Sequence, residues 1–98
     1  RDHLEDLIGY FRAGASRIGL SLMPSSSPIQ PILLGDPHTA LACSEALLQQ
    51  GILVTAIRPP TVPPGSSRLR ITLSANHTHA QLDRLLDALQ KLTAEMKT

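Results

Sequence analysis

The stretch Thr55-Ala-Ile-Arg-Pro-Pro-Thr-Val-Pro-Pro-Gly-Ser-Ser-Arg-Leu-Arg-Ile-Thr-Leu73 decides the fold. Its middle, with Pro59, Pro60, Pro63, Pro64 and Gly65, cannot be helix, because each proline fixes φ and removes a backbone donor. Pro59 to Gly65 therefore reads as a rigid, extended connection that ends in a turn. Beyond it the period is two: Leu69, Ile71 and Leu73 point one way, and Arg68, Arg70 and Thr72 the other. An apolar face backs onto a core while a cationic face looks outward. Arginine presents a planar fork of donors that fits a carboxylate or phosphate, so this strand, beside a stiff loop carrying Thr61, is a candidate anion-binding edge. The plainer reading is two solvated arginines on a surface strand, since arginines are mostly exposed.

Outward from this hairpin the boundaries are well marked. Toward the N-terminus, Ile52 to Ile57 forms the preceding strand, and before it Asp36-Pro37 offers an N-cap and a proline at the first helical position. Ala40 to Gln50 are helix formers, closed by Gly51 in the C′ place. Ile29 to Leu34, between Pro28 and Gly35, fits a buried strand whose Pro31 suits an edge. Met23-Pro-Ser-Ser-Ser-Pro28 is a polar, helix-breaking linker. Leu4, Leu7, Ile8, Phe11, Ala15 and Ile18 recur at three- and four-residue spacing, which predicts an amphipathic helix from Asp2 to about Leu20. No capping residue precedes it, which suggests a chain that begins inside a helix. Toward the C-terminus, the third strand runs from Arg68 to Ser74, and Thr78-x-x-Gln81 is a capping box. It opens a helix with Leu82, Leu85, Leu86, Leu89, Leu92 and Met96 on one side.

The expected class is α+β, in the order α-β-α-β-β-α, with a small, mainly antiparallel three-stranded sheet covered by helices on one face. The Arg68–Ser74 strand lies between the other two, because it has no proline and can pair on both edges. At 98 residues the chain is one domain or a piece of one. Aromatic residues make up 2% of it, so the core is aliphatic and stacking platforms for single-stranded nucleic acid are lacking. A net charge of +1 argues against binding a phosphate backbone. No apolar run approaches the roughly 18 residues of a membrane span. The single cysteine, Cys43, excludes an internal disulfide and reads as a small core residue, and the charged N-terminus does not read as a signal peptide; cytoplasm is the expected compartment.

Catalytic chemistry is largely missing. His77 and His79 form a His-x-His pair without a third ligand, and residues i and i+2 of a helix do not share a face, so they read as exposed cap residues. His38 has no serine or cysteine nucleophile beside it. Asp2, Glu5, Asp6, Asp83, Asp87 and Glu95 lie opposite the apolar stripes as solvating charges. Gly65-Ser-Ser lacks the lysine and spacing of a P-loop. Lys91 and Lys97, the only lysines, fall on the exposed end of the last helix, where neither is placed to form a Schiff base.

The hairpin from Ala56 to Ala75, with Gln30-Pro-Ile-Leu-Leu-Gly-Asp36, Gln50-Gly-Ile-Leu-Val-Thr-Ala-Ile-Arg58 and Leu82-Asp-Arg-Leu-Leu-Asp-Ala-Leu89, resembles the C-terminal domain of the pyridoxal-phosphate-dependent α-oxoamine synthases. The wording leans toward the branch that serves biotin biosynthesis. Aminolevulinate synthase, 2-amino-3-oxobutyrate CoA ligase and serine palmitoyltransferase share the loop and arginine, and a stand-alone anion-binding module remains the alternative of another class. The resemblance implies an acyltransferase that condenses alanine with a pimeloyl thioester and releases the alanine carboxyl as carbon dioxide. It implies a small domain that closes the site, with Arg70 on the amino-acid carboxylate and Thr61 in contact with substrate, and assigns nothing to Arg68. Residues 1–22 would lead in from a larger domain, 23–28 would be a linker, and 29–98 the small domain. The Schiff-base lysine and the cofactor-holding groups would belong to the larger domain, so this chain alone would be inactive. Homodimers with sites at the subunit interface are the family's implied assembly.

Overall fold

The computed structural model describes residues 2–49 and 54–96. Helix α1 is Asp2–Arg17, followed by β1 (Ser21–Leu22), β2 (Ile29–Gly35), α2 (Pro37–Leu48), β3 (Val54–Ile57), β4 (Ser67–Thr72) and α3 (His79–Met96). The expected Gln50–Gly51 end of α2, the Ile52–Leu53 start of β3, and Lys97 lie outside the described residues, as do the side chains of Glu95 and Met96.

Four strands form one sheet in the order β1-β2-β4-β3, with every neighbouring pair antiparallel. The strand with the arginines is interior, as its lack of proline allows. The sheet has one strand more than the three expected, because Ser21 and Leu22 pair with Leu33 and Ile32 and cover the edge of β2. Two residues are too short to carry a period-two signal. Pro31 is compatible with an interior strand because Leu73 N–H donates to the Pro28 carbonyl at 2.8 Å. Counting from that bonded pair, Gln30 and Ile32 make the ladder bonds to β4, while Pro31 turns its missing donor toward β1.

Helix α1 stops before Leu20 because Gly19 takes φ +86°. Leu20 N–H then reaches the Ala15 carbonyl at 3.0 Å and Gly19 N–H the Ser16 carbonyl at 3.1 Å, which satisfies the last carbonyls of the helix. Asp36 caps α2 as expected, its Oδ2 accepting from Thr39 N–H at 2.8 Å and from Thr39 Oγ1–H at 2.9 Å. The Thr78–Gln81 box is reciprocal: Thr78 N–H donates to Gln81 Oε1 at 2.8 Å and Gln81 N–H to Thr78 Oγ1 at 3.2 Å. The core lies between the helices and the sheet face bearing Leu69, Ile71 and Leu73, and takes in Leu7, Phe11, Cys43, Leu47, Leu82, Leu85 and Leu89. Helix α2 packs on β2, β3 and β4, α1 on β1, and α3 on both other helices.

Two stability predictions follow from these groups. The Thr39 backbone N–H, then its hydroxyl, hold the Asp36 carboxyl below its usual pKa. The cap therefore contributes fully above the unfolded carboxylate value of about 4 and loses its contribution as pH falls through the lower folded value. Asp36→Ala should lower the thermal midpoint at pH 7, and the gap from the parent should close in acid; a gap independent of pH would contradict this. Ser67 is fully buried and its Oγ has no hydrogen-bond partner among the described residues. Ser67→Ala should leave denaturant stability unchanged or raise it by up to about 1 kcal/mol, whereas a loss of that size would mean the hydroxyl is paired.

Candidate functional site

The outer face of the sheet is the side not covered by helices. Ser21, Ile29, Pro31, Leu33, Thr55, Ile57, Arg68, Arg70 and Thr72 share it by register. Much of it is apolar, with Ile29 43% and Leu33 39% exposed. Arg70 stands in the middle of this face, opposite Pro31 on β2 and Thr55 on β3. Its pair with Pro31 is of the non-hydrogen-bonded kind, in which side chains approach most closely. Neither neighbour carries a charge. Arg70 is exposed and makes no hydrogen bond or ion pair among the described residues. A planar cation is thus held on a strand paired along both edges, with its donor fork unused.

Arg68 differs. It is half-buried, opposite Leu33 and Ile57, and its Nε–H donates to the Ser66 carbonyl at 3.1 Å. That bond ties Arg68 to the turn before its own strand. The loop between β3 and β4 is built from two successive turns. Thr61 N–H donates to the Arg58 carbonyl at 3.1 Å across Pro59 and Pro60, whose peptide bond is cis. Ser66 N–H donates to the Pro63 carbonyl at 3.1 Å, with Gly65 at φ +82° in the third position, where a type II turn requires a left-handed residue. Thr61 is exposed in this loop and Arg70 lies midway along the strand that follows, so both belong to one hairpin.

His3, His77 and His79 serve the contact between α1 and the start of α3. His77 Nδ1 accepts from Ser74 N–H at 3.0 Å, and His3 Nε2 lies 3.2 Å from the His77 carbonyl. His79 stacks on Tyr10 at 4.3 Å between ring centroids, and its Nε2 lies 2.7 Å from Asp6 Oδ2. Tyr10 O–H donates to Asp83 at 2.5 Å, and that bond raises the phenol pKa above its ordinary value. Among the described residues no three of His, Cys, Asp and Glu gather to hold a metal. Cys43 is buried, and desolvation raises its thiol pKa. Lys91 is exposed on α3, so no described residue suits a covalently held carbonyl cofactor.

Two polar side chains that the sequence pattern did not single out, Gln30 and Arg12, join β2 to α1. Gln30 is completely buried; its Oε1 accepts from Arg12 Nη1 at 2.6 Å, and its Nε2 donates to the Ser25 and Ser27 carbonyls at 3.2 and 2.8 Å. Arg12 Nη1 also donates to the Met23 carbonyl at 3.1 Å. A glutamine inside an apolar run and an arginine on a helix give no such signal until α1 and β2 are side by side.

Comparison with known proteins gives a consistent picture. Residues 1–89 match the family model described as aminotransferase class I and II. The chain is 64% identical over 91 residues to 8-amino-7-oxononanoate synthase of Marinobacter nauticus, covering 93% of this chain and 23% of that protein. To the enzyme of the same name from Stutzerimonas stutzeri it is 60% identical over 96 residues, covering 98% and 24%. The crystal structure of 8-amino-7-oxononanoate synthase from Francisella tularensis superposes with TM-score 0.87 at 26% identity, over all of this chain and 28% of that one. Serine palmitoyltransferase from S. paucimobilis, with a bound PLP–myriocin aldimine, superposes with TM-score 0.82 at 30% identity, over 97% and 24%. The chain spans about a quarter of the length of the curated relatives it matches.

Because Arg70 has no partner to lose among the described residues, Arg70→Ala should leave the thermal midpoint unchanged, and a clear drop would reveal a structural role.

Proposed function

The chain belongs to the aminotransferase class I and II family, and on that premise we propose that it is the C-terminal part of an 8-amino-7-oxononanoate synthase. The full protein would condense alanine with a pimeloyl thioester, releasing carbon dioxide, in biotin biosynthesis. The observation that carries this reading is the Arg70 fork, without a partner among the described residues, on a largely apolar sheet face where the other arginine, Arg68, is tied to Ser66, within a sequence 64% identical to an enzyme of that name. The sister-enzyme reading has less support, at 30% identity to serine palmitoyltransferase.

Pyridoxal phosphate, when bound, supplies the electron sink for the carbanion formed on the amino acid. With no suitable lysine among the described residues, the residues that hold it belong to the rest of the protein. This chain contributes binding and orientation. Arg70 receives the alanine carboxylate in two parallel hydrogen bonds, which fixes the direction of the Cα–carboxylate bond. Ile29, Pro31 and Leu33 keep the surroundings apolar, so that once the face is covered the charge pair is poorly screened and correspondingly strong. Thr61, presented by the two-turn loop, reaches the same substrate from the end of the hairpin. Residues 29–98 act as the closing unit, joined through the 23–28 segment to α1. The whole protein is a homodimer in this reading, with the cytoplasm as its compartment. Among the described residues no helix is long and apolar enough to cross a membrane.

The test is steady-state kinetics of the full-length protein with alanine and pimeloyl-CoA. Losing a bidentate charge-assisted contact removes on the order of 3 kcal/mol, so Arg70→Ala should raise KM for alanine about a hundredfold. Arg68→Ala should change it little, since that side chain is tied to Ser66. Arg70→Lys should fall between, because it keeps the charge and loses the fork. Equal effects of the two alanine variants would overturn the assignment.

A further inference from the structure

The register of β2 is not the one its hydrophobic pattern favours. Gln30, Ile32 and Leu34 point inward, while Ile29, Pro31 and Leu33 point outward, and Ile29 and Leu33 remain 43% and 39% exposed. A slip of one residue would exchange the two sets, burying Ile29 and Leu33 and returning Gln30 to water. By apolar burial alone the slipped register is at least as good. Two features at neighbouring positions oppose it. Turned inward, Pro31 would face β4 without an N–H and cost a ladder bond. Gln30 would lose three hydrogen bonds that satisfy both its oxygen and both its amide protons.

Arg12 completes the arrangement. Continuing the β1–β2 pairing from Leu22↔Ile32 places Met23 opposite Pro31. Met23 N–H donates to the Pro31 carbonyl at 3.1 Å, but Pro31 has no proton to return to the Met23 carbonyl. Arg12 Nη1 fills that vacancy at 3.1 Å and with the same nitrogen holds Gln30 Oε1 at 2.6 Å. One guanidinium nitrogen therefore joins α1, the end of β1 and the side chain that defines the inward face of β2. A buried polar group that fixes register is the best-attested use of such a group.

We propose that Arg12 and Gln30 form the register lock of β2 and are thereby positioning residues for Arg70. The lock keeps Pro31, a compact side chain with no donor or charge, opposite the guanidinium. One residue of slip would instead place Gln30 or Ile32 on the outer face beside Arg70, crowding the fork or occupying its donors with an amide oxygen. The substrate consequence rests on the reading of Arg70 given above; the register claim does not.

The test uses the full-length protein. Ile29 and Thr72 are an outward-facing, non-hydrogen-bonded pair, so Ile29→Cys/Thr72→Cys should cross-link on mild oxidation when the register is native. Adding Gln30→Ala, which removes the three hydrogen bonds without giving the inward face a large apolar side chain, should reduce that cross-link severalfold. In the protein without added cysteines, Gln30→Ala should raise KM for alanine about tenfold while kcat stays within about twofold. Should Gln30→Ala fail to fold, Arg12→Ala is measured against Arg12→Lys. Because one nitrogen serves both acceptors, lysine should restore most of the cross-link that alanine loses. An undiminished cross-link in Gln30→Ala, or no recovery by lysine, overturns the lock. If the parent protein binds no alanine while the cross-link responds as described, the lock stands and the function assigned to Arg70 fails.

Discussion

β4 is hydrogen-bonded along both edges, and that constraint organises the rest of the structure. All six residues of Ser67–Thr72 pair with β2 on one side, and Arg68 to Ile71 pair with β3 on the other. Their inward members, Leu69 and Ile71, are the floor on which α2 rests, with α1 and α3 completing the core. Their outward members inherit that rigidity. A side chain on a central strand has little backbone freedom, so the position of Arg70 is set by burial on the opposite face of the same strand. The cost of moving Arg70 is the cost of disturbing the core.

In the proposed reading, the same alternation makes this domain one part of a larger site. An unpaired guanidinium among Ile29, Pro31 and Leu33 is a poor arrangement for stability, since the apolar side chains stay exposed and the arginine gains nothing from them. Such a face becomes favourable once it is covered and an anion is supplied. The neighbouring arginine illustrates the contrast: Arg68 is half-buried and its Nε–H is engaged by the Ser66 carbonyl, which ties it to its own turn. Two arginines two residues apart on one face thus differ in availability, and the difference lies in the turn that precedes the strand.

Much of this was legible in the sequence, for identifiable reasons. The proline loop, the Asp36 cap and the Thr78–Gln81 box depend on local chemistry, and each is found where its residues stand. The interior placement of β4 agrees with its lack of proline, although Pro31 does not keep β2 at an edge. What could not be read depends on contacts between distant segments. Strand β1 is two residues long and exists through pairing with Leu33 and Ile32. The helix read as ending near Leu20 ends at Arg17, through the left-handed turn at Gly19. His79 is an exposed residue near a helix start, as expected, but its partners Asp6 and Tyr10 lie more than seventy residues away. Gln30 was the least readable: in an apolar run it looks like an interruption, and its role emerges only when Arg12 of α1 is beside it.

The most direct measurement of the central claim is a crystal structure of the full-length protein with alanine bound. The account predicts both carboxylate oxygens within hydrogen-bond distance of the Arg70 guanidinium, with Pro31 still opposite it on β2. An alanine carboxylate held by other groups, with Arg70 left in solvent, would contradict it.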